Sequence, residues 1–215
     1  MPVPPENCWL NTLNNQGSTG LPGAAYFAGM LVPPSVADFP IPRHLRDSAV
    51  LVPVFRDAAG DVQVVLVRRA AFGVHGGQLA FPGGKPEPTD ENLLATALRE
   101  AYEEVGLLPA NVEVLASLPP VAVPTGFRIT PYLGRIRRPA AWQWQAAEID
   151  EVLEVPLRHL ADAATHAEEV WQLPGWPGPR RVPFYRVGAG YALWGASYRI
   201  IQPLIPRLLA GEWDI

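Results

Sequence analysis

The chain has 215 residues, of which 48% are hydrophobic and 18% are charged, a balance typical of a globular protein rather than a disordered or fibrous one. This length suffices for one well-buried domain with additions and is short for two full domains. The net charge of -4 and the pI of about 5.6 exclude a general electrostatic attraction to nucleic acid or to an anionic membrane.

The first 45 residues are predicted to form a proline-rich arm, and residues 46–215 the main domain. We expect the arm to pack on that domain through the large side chains of Trp9, Tyr26, Phe27 and Met30. Whether it also covers a site or supports a homodimer is left open. No run approaches the roughly 20 apolar residues of a membrane span, and the N-terminus does not resemble a secretory signal. The single cysteine, Cys8, cannot form an internal disulfide, so we expect a cytoplasmic protein.

The domain is predicted to begin near Ser48 with a hairpin, whose strands are the runs Ala49–Phe55 and Val62–Val67. After two glycine-rich stretches, a helix is predicted from Asp90 or Glu91 to Val105, because glycine at the next position ends helices. The remaining predicted elements are strands at about 112–118 and 128–136 and short helices at about 157–161 and 194–209. Strands on both sides of one central helix indicate an α/β or α+β fold, with layers around a mixed sheet.

The predicted helix gathers three carboxylates within five residues, at Glu100, Glu103 and Glu104. At about 100° per residue, Glu100 and Glu104 lie within roughly 20° of Leu93, at the margin of the apolar face. Like charges at this spacing repel and weaken an isolated helix by a few tenths of a kcal/mol per pair. One interpretation is a solvated acidic face on which Arg99 pairs with Glu103. The other is a platform for Mg²⁺ or Mn²⁺, which prefer carboxylate oxygens.

The stretch Phe81–Lys85, just before this helix, favours the second interpretation. Its glycines, Gly83 and Gly84, permit backbone conformations and a close approach to a ligand phosphate that other residues would obstruct. A phosphate-binding loop beside a metal-binding helix forms a coherent site.

Together these residues resemble the Nudix hydrolase family, whose box is G-x5-E-x7-R-E-U-x-E-E-x-G-U, with U an aliphatic residue. The box is matched at seven positions, with Ala101 as a small aliphatic residue: Glu91, Arg99, Glu100, Glu103, Glu104, Gly106 and Leu107. Its leading glycine is displaced by one position, since six residues separate Gly84 from Glu91. The resemblance covers residues 46–208 and implies an α/β fold of the Nudix type, an α/β/α sandwich around a mixed sheet.

Within the family, the chain looks most similar to the coenzyme A pyrophosphatase branch, whose upstream motif resembles L-L-T-x-R-(S/A)-x3-R-x3-G-x3-F-P-G-G. Arg68, Gly77 and Phe81–Gly84 match that motif. Two positions depart from it: Arg69 replaces the small residue, and Gly73 replaces the second arginine. If that arginine holds a substrate phosphate, Arg69 is a nearby replacement.

The resemblance implies metal-dependent hydrolysis of a nucleotide substrate, by attack of water on a pyrophosphate phosphorus with Mg²⁺ or Mn²⁺ as cofactor. The implied metal ligands are Gly84, Glu91, Glu100, Glu103 and Glu104. Arg99 is expected to orient a carboxylate through a fork-shaped pair. The residues expected to contact substrate phosphate are Arg68, Gly83, Gly84 and Lys85.

Three roles stay open at this point. Glu91 either binds metal through water or stabilises the helix N-terminus. Glu148 or Glu151, placed in a loop before Val155, supplies the general base, or both are surface carboxylates. His75 either contacts phosphate or fills a turn.

Three hypotheses for function follow from the resemblance. The first is hydrolysis of coenzyme A or its derivatives to 3',5'-ADP and 4'-phosphopantetheine. The second keeps the chemistry but changes the substrate to a nucleoside triphosphate, an oxidised nucleotide or a nucleotide sugar. The third is a non-catalytic module that binds a nucleotide, which has no evident need of three mutually repelling carboxylates.

Overall fold

The computed structural model describes residues 33–71 and 76–215. The predictions made for Cys8, for the four large side chains of the arm, and for Gly73 and His75 lie outside these residues. Within the described ranges, no helix is both long enough and apolar enough to cross a membrane.

A mixed sheet forms the centre of the described domain. Its eight strands in this part of the chain are β1 (Arg46–Arg56), β2 (Val62–Arg69), β3 (Leu79–Ala80), β4 (Gly83–Gly84), β5 (Val112–Ser117), β6 (Val121–Val123), β7 (Phe127–Ile136) and β8 (Ile149–Pro156). The order β3-β2-β1-β7-β5 runs across the sheet, while β4 pairs with β1, β6 with β7 and β8 with β2. Strands β1 and β7 are parallel, and the other pairs are antiparallel.

Helices and a second sheet cover the two faces of the mixed sheet. The four α-helices of the described residues are α1 (Leu93–Val105), α2 (Leu157–Ala161), α3 (Gly195–Ile201) and α4 (Leu204–Leu209). The second sheet is antiparallel and has the order β11-β10-β9, from β9 (His166–Trp171), β10 (Arg180–Val187) and β11 (Tyr191–Trp194).

Strand β1 is apolar on both faces because the sheet is covered on both sides. Leu51 and Phe55 belong to a cluster that contains Ala97 and Ala101 of α1. The alternate residues, Val52 among them, belong to a second cluster that includes side chains of α2, α3, α4 and the smaller sheet. This layering confirms the predicted α/β/α sandwich around a mixed sheet.

Two boundaries differ from those predicted. Helix α1 begins at Leu93 rather than at Asp90 or Glu91, because the side chain of Asn92 caps the helix by accepting a hydrogen bond from the Ala95 amide. The single helix predicted for residues 194–209 is instead the pair α3 and α4. Pro203 lies between them, and proline has no amide hydrogen with which to continue a helical ladder.

The described end of the predicted arm contacts the smaller sheet. Ser35 forms a parallel bridge with Arg181 of β10, and the Phe39 ring packs edge-on against Trp176 at a centroid distance of 5.3 Å. The boundary at residue 45 stays a prediction.

Candidate active site

Helix α1 is fixed at both of its ends. Asn92 caps the start, and Gly106 adopts a left-handed conformation at the end, with φ of 71°. The amide of Leu107 then donates to the carbonyl of Ala101, as in a helix-terminating glycine motif. The apolar face of α1 packs on β1, and its acidic margin faces β4.

Strand β4 pairs with β1 and also lies close to α1, so its two glycines have little free space around them. Gly83 has φ of 155°, and a Cβ there would collide with the backbone of Ala49 and Val50. A Cβ on Gly84 would overlap the carboxylate of Glu100. The backbone packing therefore requires glycine at position 83, whereas a side chain at position 84 would displace the end of the Glu100 side chain.

Glu104 is the most buried of the three helix carboxylates, with 2% of the residue exposed. One oxygen accepts a hydrogen bond of 3.0 Å from the Gly83 amide, and the other accepts one of 3.2 Å from Nη1 of Arg69. Burial raises the pKa of Glu104 to about 7, although both of these contacts oppose the rise. The hydrogen bonds from Gly83 and Arg69 therefore offset only part of the cost of burying the negative charge of Glu104.

Glu100 and Glu103 lie at increasing distance from the core. The Glu100 side chain is 17% exposed, and burial raises its pKa above the ordinary value. Glu103 is more open, with 52% of its side chain exposed. These positions agree with the helical angles, which place Glu100 and Glu104 at the apolar margin.

Arg99 contacts several carboxylates and joins α1 to the loop before it. Its Nη1 donates to Glu103 at 2.9 Å, and its Nη2 donates to Glu100 at 3.2 Å and to the Lys85 carbonyl at 3.0 Å. The fork-shaped pair expected of this arginine is made with Asp90, through Nε and Nη2 at 3.0 Å each.

Asp90 is a residue to which the sequence assigned no role in the site. Its side chain is 5% exposed and also accepts hydrogen bonds from the Glu87 amide and the Thr96 hydroxyl, each at 2.9 Å. The hydrogen bond from Arg99 is the main reason why the pKa of Asp90 lies well below its ordinary value. Asp90 therefore neutralises Arg99, and the glutamates around them keep a net negative charge.

A polar cleft of about 350 Å³ opens beside these groups. Its lining residues are Glu87, Arg99, Glu100, Glu103, Gln145 and Glu148. Four carboxylates thus face one guanidinium. Glu87 and Gln145 carried no signal in the sequence, because they enter the cleft from loops whose position depends on the fold.

The structure separates the two candidates for the general base. Glu148 lies in a turn before β8 and lines the cleft, and its charge contributes to the raised pKa values of Glu100 and Glu104. Glu151 was expected in a loop, but it lies within β8, where it pairs with Arg68 at 3.2 Å. That placement in a loop was wrong, since β8 begins at Ile149 and pairs with β2.

The two neighbouring arginines of β2 point to opposite faces of the sheet, as consecutive strand residues do. Arg68 pairs with Asp150 at 2.8 Å and with Glu151, and its guanidinium lies over the Tyr191 ring. Arg69 pairs with Glu104 across the other face. Carboxylates therefore engage both of these candidate phosphate-binding cations.

Two further predicted residues lie at the edge of the site. Glu91 is exposed and precedes the capping residue of α1, and it is not among the residues that line the cleft. Lys85 is exposed, and its carbonyl, rather than its ammonium, contacts Arg99.

The residues of the cleft fit a hard divalent cation in their chemistry. Glu100, Glu103, Glu104 and Glu148 supply only oxygen donors, which Mg²⁺ and Mn²⁺ prefer, and the buried charge of Glu104 is incompletely compensated. In residues 33–71 and 76–215, no group of three acidic, histidine or cysteine side chains already stands at metal-binding spacing. Ion pairs with Arg99 and Arg69 hold three of the glutamates instead, so a cation would have to replace some of those contacts.

The sequence of this chain is similar to those of known proteins. A sequence model of the NUDIX domain matches residues 45–173. The Nudix hydrolase NudL of Salmonella paratyphi B is 38% identical over 165 residues, which cover 74% of this chain and 81% of the relative; NudL of Salmonella newport matches equally well.

Two solved structures share the fold. RenU, a Nudix hydrolase of M. smegmatis, has a TM-score of 0.54 and 19% identity, and the match covers 80% of this chain and 89% of RenU. A MutT/nudix family protein from Enterococcus faecalis has a TM-score of 0.52 and 18% identity. The match covers 80% of this chain and 65% of the Enterococcus protein.

Proposed function

Since this chain belongs to the Nudix family, we propose that it is a metal-dependent pyrophosphohydrolase and that its substrate is coenzyme A or a coenzyme A derivative. The observation that carries the hydrolase proposal is the position of Glu104. Its carboxylate is buried against the Gly83 amide and lies beside a cleft lined by four further carboxylates. This excess of negative charge in a polar cleft supports divalent-cation binding, whereas a nucleotide-binding module without a metal would repel its anionic ligand there.

In this proposal, Glu100, Glu103 and Glu104 hold the cation, and Gly84 and Glu91 are further candidates from the family box. When bound, Mg²⁺ or Mn²⁺ lowers the pKa of a coordinated water and offsets the charge of the phosphates. Before the cation binds, Arg99 and Arg69 keep the three glutamates in position.

We assign the general base to Glu148. Within the described residues its carboxylate makes no ion pair or hydrogen bond, whereas Arg68 engages Glu151. A free carboxylate at the cleft can accept the proton of the attacking water directly. Glu148 also lies close enough to Glu100 and Glu104 to affect their pKa values, which supports its position beside the reacting centre.

The proposed reaction adds water across the pyrophosphate bond of coenzyme A. The water oxygen forms a new bond to one phosphorus, the bridging P–O bond breaks, and 3',5'-ADP and 4'-phosphopantetheine leave. Support for this substrate comes from the resemblance of Arg68, Gly77 and Phe81–Gly84 to the motif of that branch. Arg69 is paired with Glu104, so it is a weaker replacement for the motif's second arginine, whose position is Gly73 in this chain. For this reason we keep a second candidate substrate.

The second candidate is another nucleotide with the same pyrophosphate chemistry: a nucleoside triphosphate, an oxidised nucleotide or a nucleotide sugar. The departures at Arg69 and Gly73 favour it. A non-catalytic nucleotide-binding module is the third candidate, and any cleavage of a pyrophosphate substrate eliminates it.

A substrate panel separates these candidates. The chain is incubated with Mg²⁺ or Mn²⁺ and with coenzyme A, NADH, ADP-ribose, diadenosine polyphosphates and nucleoside triphosphates in turn, and the products are separated by chromatography. We expect coenzyme A to be cleaved with the highest kcat/KM. Intact coenzyme A together with turnover of another substrate would overturn the substrate assignment, and Glu104→Gln serves as the inactive control.

A further inference from the structure

Two positive side chains share one aromatic ring near the cleft. Lys85, the single lysine of the chain, has its ammonium 5.7 Å from the centroid of the Phe127 ring. The Arg46 guanidinium lies over the same ring at 4.3 Å. Among the described residues, neither side chain forms an ion pair or a hydrogen bond.

The register of the sheet creates this arrangement. Strands β1 and β7 run parallel with Arg46 opposite Phe127, and the Arg46 amide donates to the carbonyl of Gly126 at 2.9 Å. The next pair in the register is Asp47 and Arg128, which form an ion pair with each other at 2.8 Å. The Asp47 carboxylate is thus already engaged by Arg128, and among the described residues the charges of Arg46 and Lys85 have no carboxylate partner.

Lys85 connects these charges to the cleft. It directly follows Gly84, which lies against the Glu100 carboxylate, and its carbonyl accepts a hydrogen bond from Arg99 at 3.0 Å. The flexible four-carbon stem of lysine then carries its ammonium toward Phe127. The backbone of Lys85 thus adjoins residues of the cleft, while its ammonium lies over the Phe127 ring.

We propose that Arg46 and Lys85 bind a phosphomonoester of the substrate, separate from the pyrophosphate that is cleaved. The Phe127 ring attracts both cations, which lie 4.3 Å and 5.7 Å from its centroid. A phosphomonoester carries nearly two negative charges and three acceptor oxygens, which suit a guanidinium and an ammonium acting together. This inference rests on the proposed function, and in coenzyme A the group is the 3'-phosphate of the ADP half.

The pair would select for nucleotides that carry this phosphate. A substrate without it would leave two cations uncompensated beside the cleft, whereas the phosphate would form charge-assisted hydrogen bonds with both. Arg46 and Lys85 are exposed, so their substitution is not expected to disturb the fold.

A binding measurement tests the inference without turnover. Isothermal titration compares 3',5'-ADP with 5'-AMP for the wild type, Arg46→Gln and Lys85→Gln. Arg128→Gln is the matched control, because it removes a neighbouring positive charge that Asp47 already compensates. We expect the wild type to bind 3',5'-ADP about tenfold more tightly, as one or two charge-assisted hydrogen bonds would give. The Arg46 and Lys85 variants should lose most of that preference, and the control should keep it.

Kinetics give a second readout. The ratio of kcat/KM for coenzyme A to that for 3'-dephospho-coenzyme A should fall toward one in the Arg46 and Lys85 variants, mainly through the KM for coenzyme A. Equal binding of both nucleotides by the wild type, or an equal loss in Arg128→Gln, would overturn the inference even if coenzyme A is cleaved. A preference for 3',5'-ADP that depends on Arg46 and Lys85 would support it even if coenzyme A is not cleaved, and the proposed function would then fail alone.

Discussion

Glu148 and Glu151 are only three residues apart, yet the fold gives their carboxylates different surroundings. Glu148 precedes β8 and faces the cleft. Glu151 lies opposite Arg68 in the β2–β8 ladder and forms an ion pair with it. Spacing along the chain cannot separate them, because the difference arises where the turn ends and the strand begins.

This difference predicts unequal effects of the same substitution. Loss of a general base typically costs about 10²- to 10⁴-fold in rate, so Glu148→Gln should lower kcat by about that factor. Glu151→Gln should have a much smaller effect, since Arg68 keeps its pair with Asp150. Steady-state kinetics with the best substrate of the panel measure both. A larger loss of kcat in Glu151→Gln would contradict our assignment of the base.

Asp90 predicts how stability depends on pH. The hydrogen bond from Arg99 lowers its pKa in the folded state. A carboxyl of this kind stabilises the fold above its unfolded pKa of about 3.9 and loses that effect as the pH falls through its folded pKa. Asp90→Asn should therefore have a lower free energy of unfolding than the wild type at pH 7, and the difference should narrow below about pH 4.

Urea unfolding at several pH values measures this difference. Glu87→Gln is the control, because it removes the same charge from the same loop but from an exposed side chain 3.9 Å from Arg99. If both variants change the free energy of unfolding by the same amount at every pH, Asp90 acts only as an ordinary surface charge.

At the scale of elements, the short strand β4 positions helix α1 against β1. It pairs with β1 through Ala49 and Val50, donates the Gly83 amide to Glu104 and packs against Glu100 through Gly84. Three elements therefore meet at two glycines, and the helix carboxylates take their positions from this contact.

Gly84→Ala tests this contact. The added methyl group would overlap the carboxylate at the end of the flexible Glu100 side chain, so we expect that carboxylate to move aside with little change in the free energy of unfolding but with a fall in kcat/KM, because a proposed metal ligand is displaced. Gly60→Ala is the matched control, since that glycine lies in a turn with open space around it. Its left-handed φ predicts a cost of about 1–2 kcal/mol but unchanged kcat/KM. Full activity of Gly84→Ala would contradict the proposed role of β4.

At the scale of the whole molecule, the acidic cleft couples cation binding to folding. The carboxylates that line it come from α1, from the loop before α1 and from the turn before β8, so they converge only in the folded state. A cation that binds the folded state alone stabilises it by about 2.7 kcal/mol at a concentration of 100 Kd.

The expected result is a rise in Tm of roughly 5–10 °C when Mg²⁺ or Mn²⁺ is added to the wild type at that concentration. Glu104→Gln should show a much smaller rise, because it removes the most buried carboxylate beside the cleft. Differential scanning fluorimetry with and without chelator measures both. An equal rise in the two proteins would place the cation elsewhere.

The sequence by itself determined the features that depend on local spacing. The helical period set Glu100 and Glu104 at the margin of an apolar face, Gly106 ended the helix, and the apolar runs of β1 and β2 indicated strands of a covered sheet. These features depend on residues within a few turns of one another, so the chain itself shows their pattern. That pattern indicated an α/β or α+β fold, and the resemblance to the Nudix family then implied the α/β/α sandwich.

Only the tertiary structure decided the contacts between distant segments. The pairing of Arg69 with Glu104, the entry of Glu148 into the cleft and the meeting of Arg46 with Phe127 each depend on how strands align and where turns end. Even Asp90, nine residues from Arg99, finds its partner only because the loop folds back onto α1. The physical reason is that strand register and loop path are set by packing of the whole domain, and short-range periodicity does not encode them.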